Sequence, residues 1–221
     1  MKMSKLVILL SVAATVCANA AVTVNIKNYN NFSAGIPVLG ASDGLPVSSG
    51  CIATGFLLTG GGSYDFSTST PTSIKADFTQ FSVSNTLYDL GGGNFASGMF
   101  SGTQTANPAL APGDTTFTGK SIYTIFGNGT TLANSTALAV YKSGATFPVV
   151  NGSGNGATST NNTYTAATVV FGTLVTLTPA TEPGGPSGGI TFAQGVQLIP
   201  EPSAALLGAL GVLGLLRRRR I

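Results

Sequence analysis

Short apolar runs rich in β-branched and aromatic residues recur along this chain, and each is cut off by Gly, Asn or Pro. That punctuation constrains the fold most, because it leaves little uninterrupted chain for helices. Residues 22–26 (VTVNI) alternate apolar and polar side chains, the period of a half-buried strand. Residues 51–59 are compactly apolar, as a core strand is, and Gly60, Gly61 and Gly62 stop them. Residues 121–126 (SIYTIF) run into Gly127, Asn128 and Gly129, and residues 137–141 (ALAVY) run back, which predicts a hairpin. Residues 163–178 form the longest β-prone run, with Gly172 expected at a bulge or bend. A short strand is expected at 95–100 and a last one at 190–199. Turns are expected at 28–31, 41–50 and 107–113, a mobile loop across the low-complexity residues 151–162, and a linker-like turn at 182–189.

One segment reads as helix. Within residues 73–83, Ile74, Phe78 and Phe81 fall at i, i+4 and i+7, and Pro71 supplies a start. Ile74, Ala76 and Phe78 also alternate, so a strand is the alternative. The whole pattern predicts an all-β fold: a single β-sandwich-like domain with long Gly/Ser/Thr/Asn loops and one short helix, flanked by an N-terminal signal helix and a C-terminal membrane helix. An irregular β-solenoid is the runner-up, but no repeat of roughly 20–50 residues supports it.

Charged residues make up 8% of the 221, against about a quarter in ordinary domains. The exterior must therefore be built from Ser, Thr, Asn and Gly. Mean hydropathy of +0.35 argues against disorder, which needs low hydrophobicity. The formal charge of +3 comes from the ends. Between Ala21 and Ile199, Lys27, Lys75, Lys120 and Lys142 stand against Asp43, Asp65, Asp77, Asp89, Asp114 and Glu182, a net charge of −2. The basic balance is thus a targeting artefact and no sign of a nucleic-acid partner, and none is expected.

The two ends read as addresses. Lys2 and Lys5 precede an apolar run at 6–16, and Ala18, Asn19 and Ala20 supply small residues at a cleavage site. Residues 1–20 are therefore expected to be a secretory signal peptide, cut between Ala20 and Ala21. Val16, bulky and branched, argues against a lipoprotein signal at Cys17. Loss of Cys17 leaves Cys51 without an internal partner, and a buried small hydrophobe is its expected role. Residues 21–198 are expected to form the β-rich extracellular domain. The tail, 199–221, holds Pro200, Glu201 and Pro202, a membrane helix at 203–216, and Arg217, Arg218, Arg219 and Arg220. Its polar-free stretch, 204–216, reaches roughly 20 Å as a helix, short of the ~30 Å bilayer core, so it is a weak span. The arginines would keep the C-terminus cytoplasmic. The prolines leave residues 200–202 extended and accessible.

The order Pro-Glu-Pro, apolar helix, arginine cluster resembles the PEP-CTERM sorting signal of Gram-negative bacteria, over residues 199–221 only. The resemblance implies export, temporary retention in the inner membrane, and cutting near the motif by an exosortase, a membrane protease-like transpeptidase. Pro200, Glu201 and Pro202 would then be recognition residues, with signal peptidase and exosortase as processing partners. The short apolar run departs from that pattern. The body also looks like small, uncharacterised β-rich proteins that carry this tail, around Phe117-Thr118-Gly119-Lys120-Ser121-Ile122-Tyr123. That likeness implies no activity.

The chain has no histidine, which excludes His-containing triads, Cys–His pairs and His-based metal sites. Paired carboxylates for glycoside hydrolysis would have to come from Asp65, Asp77, Asp89 and Asp114, which read better as turn or strand-end residues. No Asp-x-Asp-x-Asp series suggests calcium, and no cofactor is expected. Sequons start at Asn31, Asn128, Asn134, Asn151 and Asn161, and composition alone accounts for them, with glycosylation the lesser reading. The expected function is a non-catalytic exported cell-envelope or extracellular-matrix protein. A glycan-binding module for the producer's own exopolysaccharide is the alternative, suggested by export and by loops rich in amides and hydroxyls.

Overall fold

The computed structural model describes residues 22–30, 34–58, 63–82, 85–86, 98–111, 113–150, 158–163, 165, 168–177 and 193–202. The expected signal peptide with Ala18, Ala20 and Ala21, the turn at 182–189, the membrane helix and Arg217 to Arg220 lie outside them. The described chain is all-β with one helix. In order it forms β1 (Val22–Lys27), β2 (Tyr29–Asn30), β3 (Ala34–Gly35), β4 (Val38–Leu39), β5 (Cys51–Leu57) and α1 (Pro71–Asp77). Next come β6 (Phe78–Gln80), β7 (Asn85–Thr86), β8 (Ser101–Thr105), β9 (Ser121–Gly127) and β10 (Ala137–Thr146). Last are β11 (Thr158–Thr163), β12 (Val169–Phe171), β13 (Thr173–Thr176), β14 (Gln194–Gln197) and β15 (Ile199–Pro200).

The central sheet runs β12-β10-β9-β5-β6, with β15 also on β10 and β7 also on β5. Every residue of β5 is buried, as are residues 122–127 of β9 and 137–141 of β10. These strands carry continuous apolar runs because both faces of the sheet are covered. Ile52, Phe56, Ile122, Phe126, Ala139 and Tyr141 point to one core, where they meet Val22, Val24 and Ile26 of β1 together with Val38 and Val196. Cys51, Ala53, Leu57, Tyr123, Ile125 and Val140 point the other way, to Ile74 of α1 and the rings of Tyr64 and Phe66. The predicted hairpin is β9–β10, in register from Leu138↔Gly127 to Lys142↔Tyr123. The half-buried strand at the start is β1, with alternating burial along its length. It lies between β11 and β8, while β13-β14-β4 and β2-β3 form two smaller sheets.

Several expectations change. The helix predicted over 73–83 starts earlier and stops sooner. Thr70 caps it, accepting from the Ser73 N–H while the Ser73 hydroxyl accepts from the Thr70 N–H, and Pro71 stands in its first turn. It stops at Asp77 because Phe78, Thr79 and Gln80 pair with Leu57, Phe56 and Gly55 of β5. Ile74 and Phe81, read as one helical face, end up in different cores. Of the strand expected at 95–100, residues 95–97 lie outside the described residues, 98–100 are not strand, and β8 begins at Ser101. Of the loop expected across 151–162, residues 151–157 lie outside the described residues and 158–162 belong to β11, which pairs in parallel with the whole of β1. An edge strand of Thr, Ser and Asn needs only backbone pairing and shows no hydrophobic period. Gly172 does mark a bend. Its φ of +135° turns the chain out of the central sheet after β12 and into the β13-β14-β4 sheet. A Cβ there would stand 2.5 Å from Val196 Cγ2.

Candidate functional site

Two places gather the chemistry of this charge-poor body, at opposite ends of the β9–β10 hairpin. The first holds Pro200, Glu201 and Pro202. Ile199 and Pro200 pair with Leu138 and Ala137 on β10. A proline suits such a short added strand, since it has no N–H to offer. The Glu201 N–H donates to the Thr136 carbonyl at 2.6 Å. Glu201 Oε1 lies 2.7 Å from Nζ of Lys75, in the last turn of α1, and Lys75 also donates to the Ser135 carbonyl at 2.8 Å. The bond from Lys75 and its charge hold the Glu201 carboxyl below the usual glutamate value. Pro200 and Pro202 are exposed. Pro200 closes β15, and Glu201 is docked on α1 and is not a free side chain.

The β9–β10 turn positions this contact. Asn128 Oδ1 accepts from the N–H groups of Thr136 and Ala137, and Asn134 Oδ1 accepts from the N–H of Thr131. Ser135 Oγ donates to the Thr131 carbonyl at 2.7 Å and lies 3.3 Å from Cys51 Sγ. Gly127 is required here because a Cβ would overlap Ser135 Oγ. Cys51 is fully buried, as its sequence context suggested, and burial pushes its thiol up. Two sequon asparagines, Asn128 and Asn134, thus already spend their amides on the turn.

The second place is a cleft at the far end of the hairpin. The β5–β9 register ends at Gly55↔Tyr123, while β5 continues to Leu57 alongside β6. The β9–β10 register shifts between Lys142 and Thr146. The strands part there around a cleft of about 250 Å³, into which Lys120 and Lys142 project with Ser63 and Ser121. Phe56 and Tyr123 line it as well, and Leu58, 57% exposed, is at its side. Lys120 Nζ sits 3.7 Å from the Phe56 ring centroid and Lys142 Nζ 5.9 Å from that of Tyr123. Burial pushes the Tyr123 phenol up. The Lys120 backbone is held on both sides, donating to the Phe117 carbonyl at 3.0 Å and accepting from the Phe147 N–H at 2.9 Å. Phe117 is itself anchored edge-on against Phe56 and Phe81. None of the described lining residues is acidic.

Sequence reasoning missed this cleft, although the signal was present. A hairpin of 121–126 with 137–141 puts the residues just before and just after it, Lys120 and Lys142, at the same open end. The aspartates do not assemble. Asp43, Asp65 and Asp114 accept from the N–H two residues ahead, in Leu45, Ser67 and Thr116, and Asp77 accepts from the Tyr64 hydroxyl. Asp89 lies outside the described residues. Those local bonds hold the Asp65 and Asp114 carboxyls below their usual range. Among the described residues no group of three or more His, Cys, Asp or Glu could hold a metal, and no helix is long and apolar enough to cross a membrane. No family model, curated protein or solved structure matches the chain.

Proposed function

We propose that the chain is a non-catalytic exported protein of the cell envelope or extracellular matrix, sorted by a PEP-CTERM-like tail at 199–221. One observation carries this reading. Pro200 and Pro202 stand exposed where the β body ends, directly before the apolar run and Arg217 to Arg220 of the sequence. Residues 21–198 would then act as one β-sandwich-like domain outside the membrane. Signal peptidase and exosortase are its processing enzymes, and the inner membrane holds it only transiently. The mass of the protein recovered from envelope and medium of its host tests this. A form starting at Ala21 and ending near Pro200, Glu201 and Pro202 is expected, and a mature form that still ends at Ile221 would overturn it.

The second reading, a glycan-binding module for the producer's exopolysaccharide, is favoured by the cleft, which combines cations, hydroxyls and an apolar wall.

A further inference from the structure

We propose that the cleft between β5, β9 and β10 binds an acidic sugar residue of a polysaccharide, with Lys120 and Lys142 receiving its carboxylate. The inference names the ligand class for the glycan-binding reading and rests on it.

Charge comes first. The segment between Ala21 and Ile199 has four lysines and no arginine, at a net charge of −2. Lys75 is neutralised by Glu201. Two of the other three line one small cleft with no acidic residue among its described lining. Among the described residues neither Lys120 nor Lys142 has a carboxylate partner, the one ion pair there being Lys75–Glu201. Two ammonium groups lining one cleft give it a positive potential that draws in an anion. A carboxylate seated there would accept charge-assisted bonds from both ammonium groups.

The rest of the lining selects a sugar over a bare anion. Ser63 and Ser121 offer hydroxyls that both donate and accept, as ring hydroxyls require. Phe56, Leu57 and the exposed Leu58 give an apolar wall for the C–H face of a pyranose. The volume, about 250 Å³, lies below the roughly 300–1,000 Å³ typical of drug-sized ligands. One sugar residue fits such a space.

Placement adds an independent argument. The tail leaves beside Leu138↔Gly127, whereas the cleft lies beside Lys142↔Tyr123, four residues along the same ladder. At about 3.4 Å per residue that is roughly 14 Å along the strands. The cleft therefore stands clear of the tail's exit, so that neither blocks the other.

The test is calorimetric titration of the full chain in detergent micelles with a galacturonic acid hexamer, a glucose hexamer and sodium sulfate. The acidic hexamer is expected to bind saturably and to weaken as salt rises. Binding should fall at least tenfold in the Lys120→Gln/Lys142→Gln double variant and by less in each single variant. Lys27→Gln, outside the cleft, should bind as the unmodified chain does. Thermal unfolding of each variant checks that it is folded, and the single variants serve if the double one is not. Equal binding of the glucose hexamer, or of that hexamer alone, would keep a glycan site and overturn the acidic ligand. Saturation by sulfate at the same concentration would reduce the cleft to an anion site. Silence toward both hexamers would remove the glycan reading itself, and unchanged binding in the double variant would move the site elsewhere.

Discussion

Asn28 sits just past the end of β1, wholly out of solvent, and its amide joins three separate segments. Nδ2 donates to the carbonyls of Ile36 and Gly98, both at 2.9 Å, and Oδ1 accepts from the Phe100 N–H at 2.8 Å. Its backbone N–H and C=O are bonded to Phe100 and Ile36 as well. In the sequence it reads as a turn residue, because Asn beside Asn and Tyr signals a local turn. Nothing local shows that its partners lie far along the chain. Asn28→Ala would leave a buried donor and two buried carbonyls without this partner, a loss of about 3 kcal/mol. Urea unfolding measures it, and a change below about 0.5 kcal/mol would mean that water replaces the amide. Cys51 is the opposite case: its apolar neighbours already placed it inside, and it is inside.

At the scale of elements, α1 and β15 are tied through Lys75 and Glu201. Partly exposed ion pairs contribute at most about 1 kcal/mol, so the contact holds the segment in place without deciding whether the body folds. Its pH dependence follows from the lowered glutamate. Glu201 stays ionised below its ordinary value of 4.5. The contribution is therefore complete above that value and is lost as pH falls through the depressed one. In NMR titrations the Glu201 carboxyl midpoint of the native chain is expected below 4.5, and Lys75→Met should move it up toward that value. Equal midpoints in the two proteins would show that the pair does not persist in solution. The helix itself illustrates a competition between signals. Its i, i+4, i+7 pattern predicted residues 73–83, but pairing with β5 took Phe78 to Gln80 into a strand. Ladder bonds to a fully buried strand outweighed the modest preference of three residues for helix.

The whole molecule is organised by a sheet with two covered faces, so its largest side chains share few substitutes. Phe126 is fully buried, with the Phe100 ring centroid at 4.4 Å and that of Tyr141 at 5.3 Å. Phe126→Ala should cost about 3–5 kcal/mol, read from denaturant unfolding, and a loss under about 1 kcal/mol would mean that this ring is not packed in the core in solution. The all-β class, β1, the β9–β10 hairpin, the buried run of β5 and the bend at Gly172 follow from the sequence alone. Each depends on a local pattern: alternation, a continuous apolar run, or a glycine where the chain must turn. Tertiary structure decided the polar edge strand β11, the early end of α1, the docking of Glu201 on Lys75 and the placing of Lys120 and Lys142 on one cleft. Backbone pairing and charge contacts join residues far apart in the chain, and they leave no period in the sequence because they need only a matching partner, which folding alone brings near.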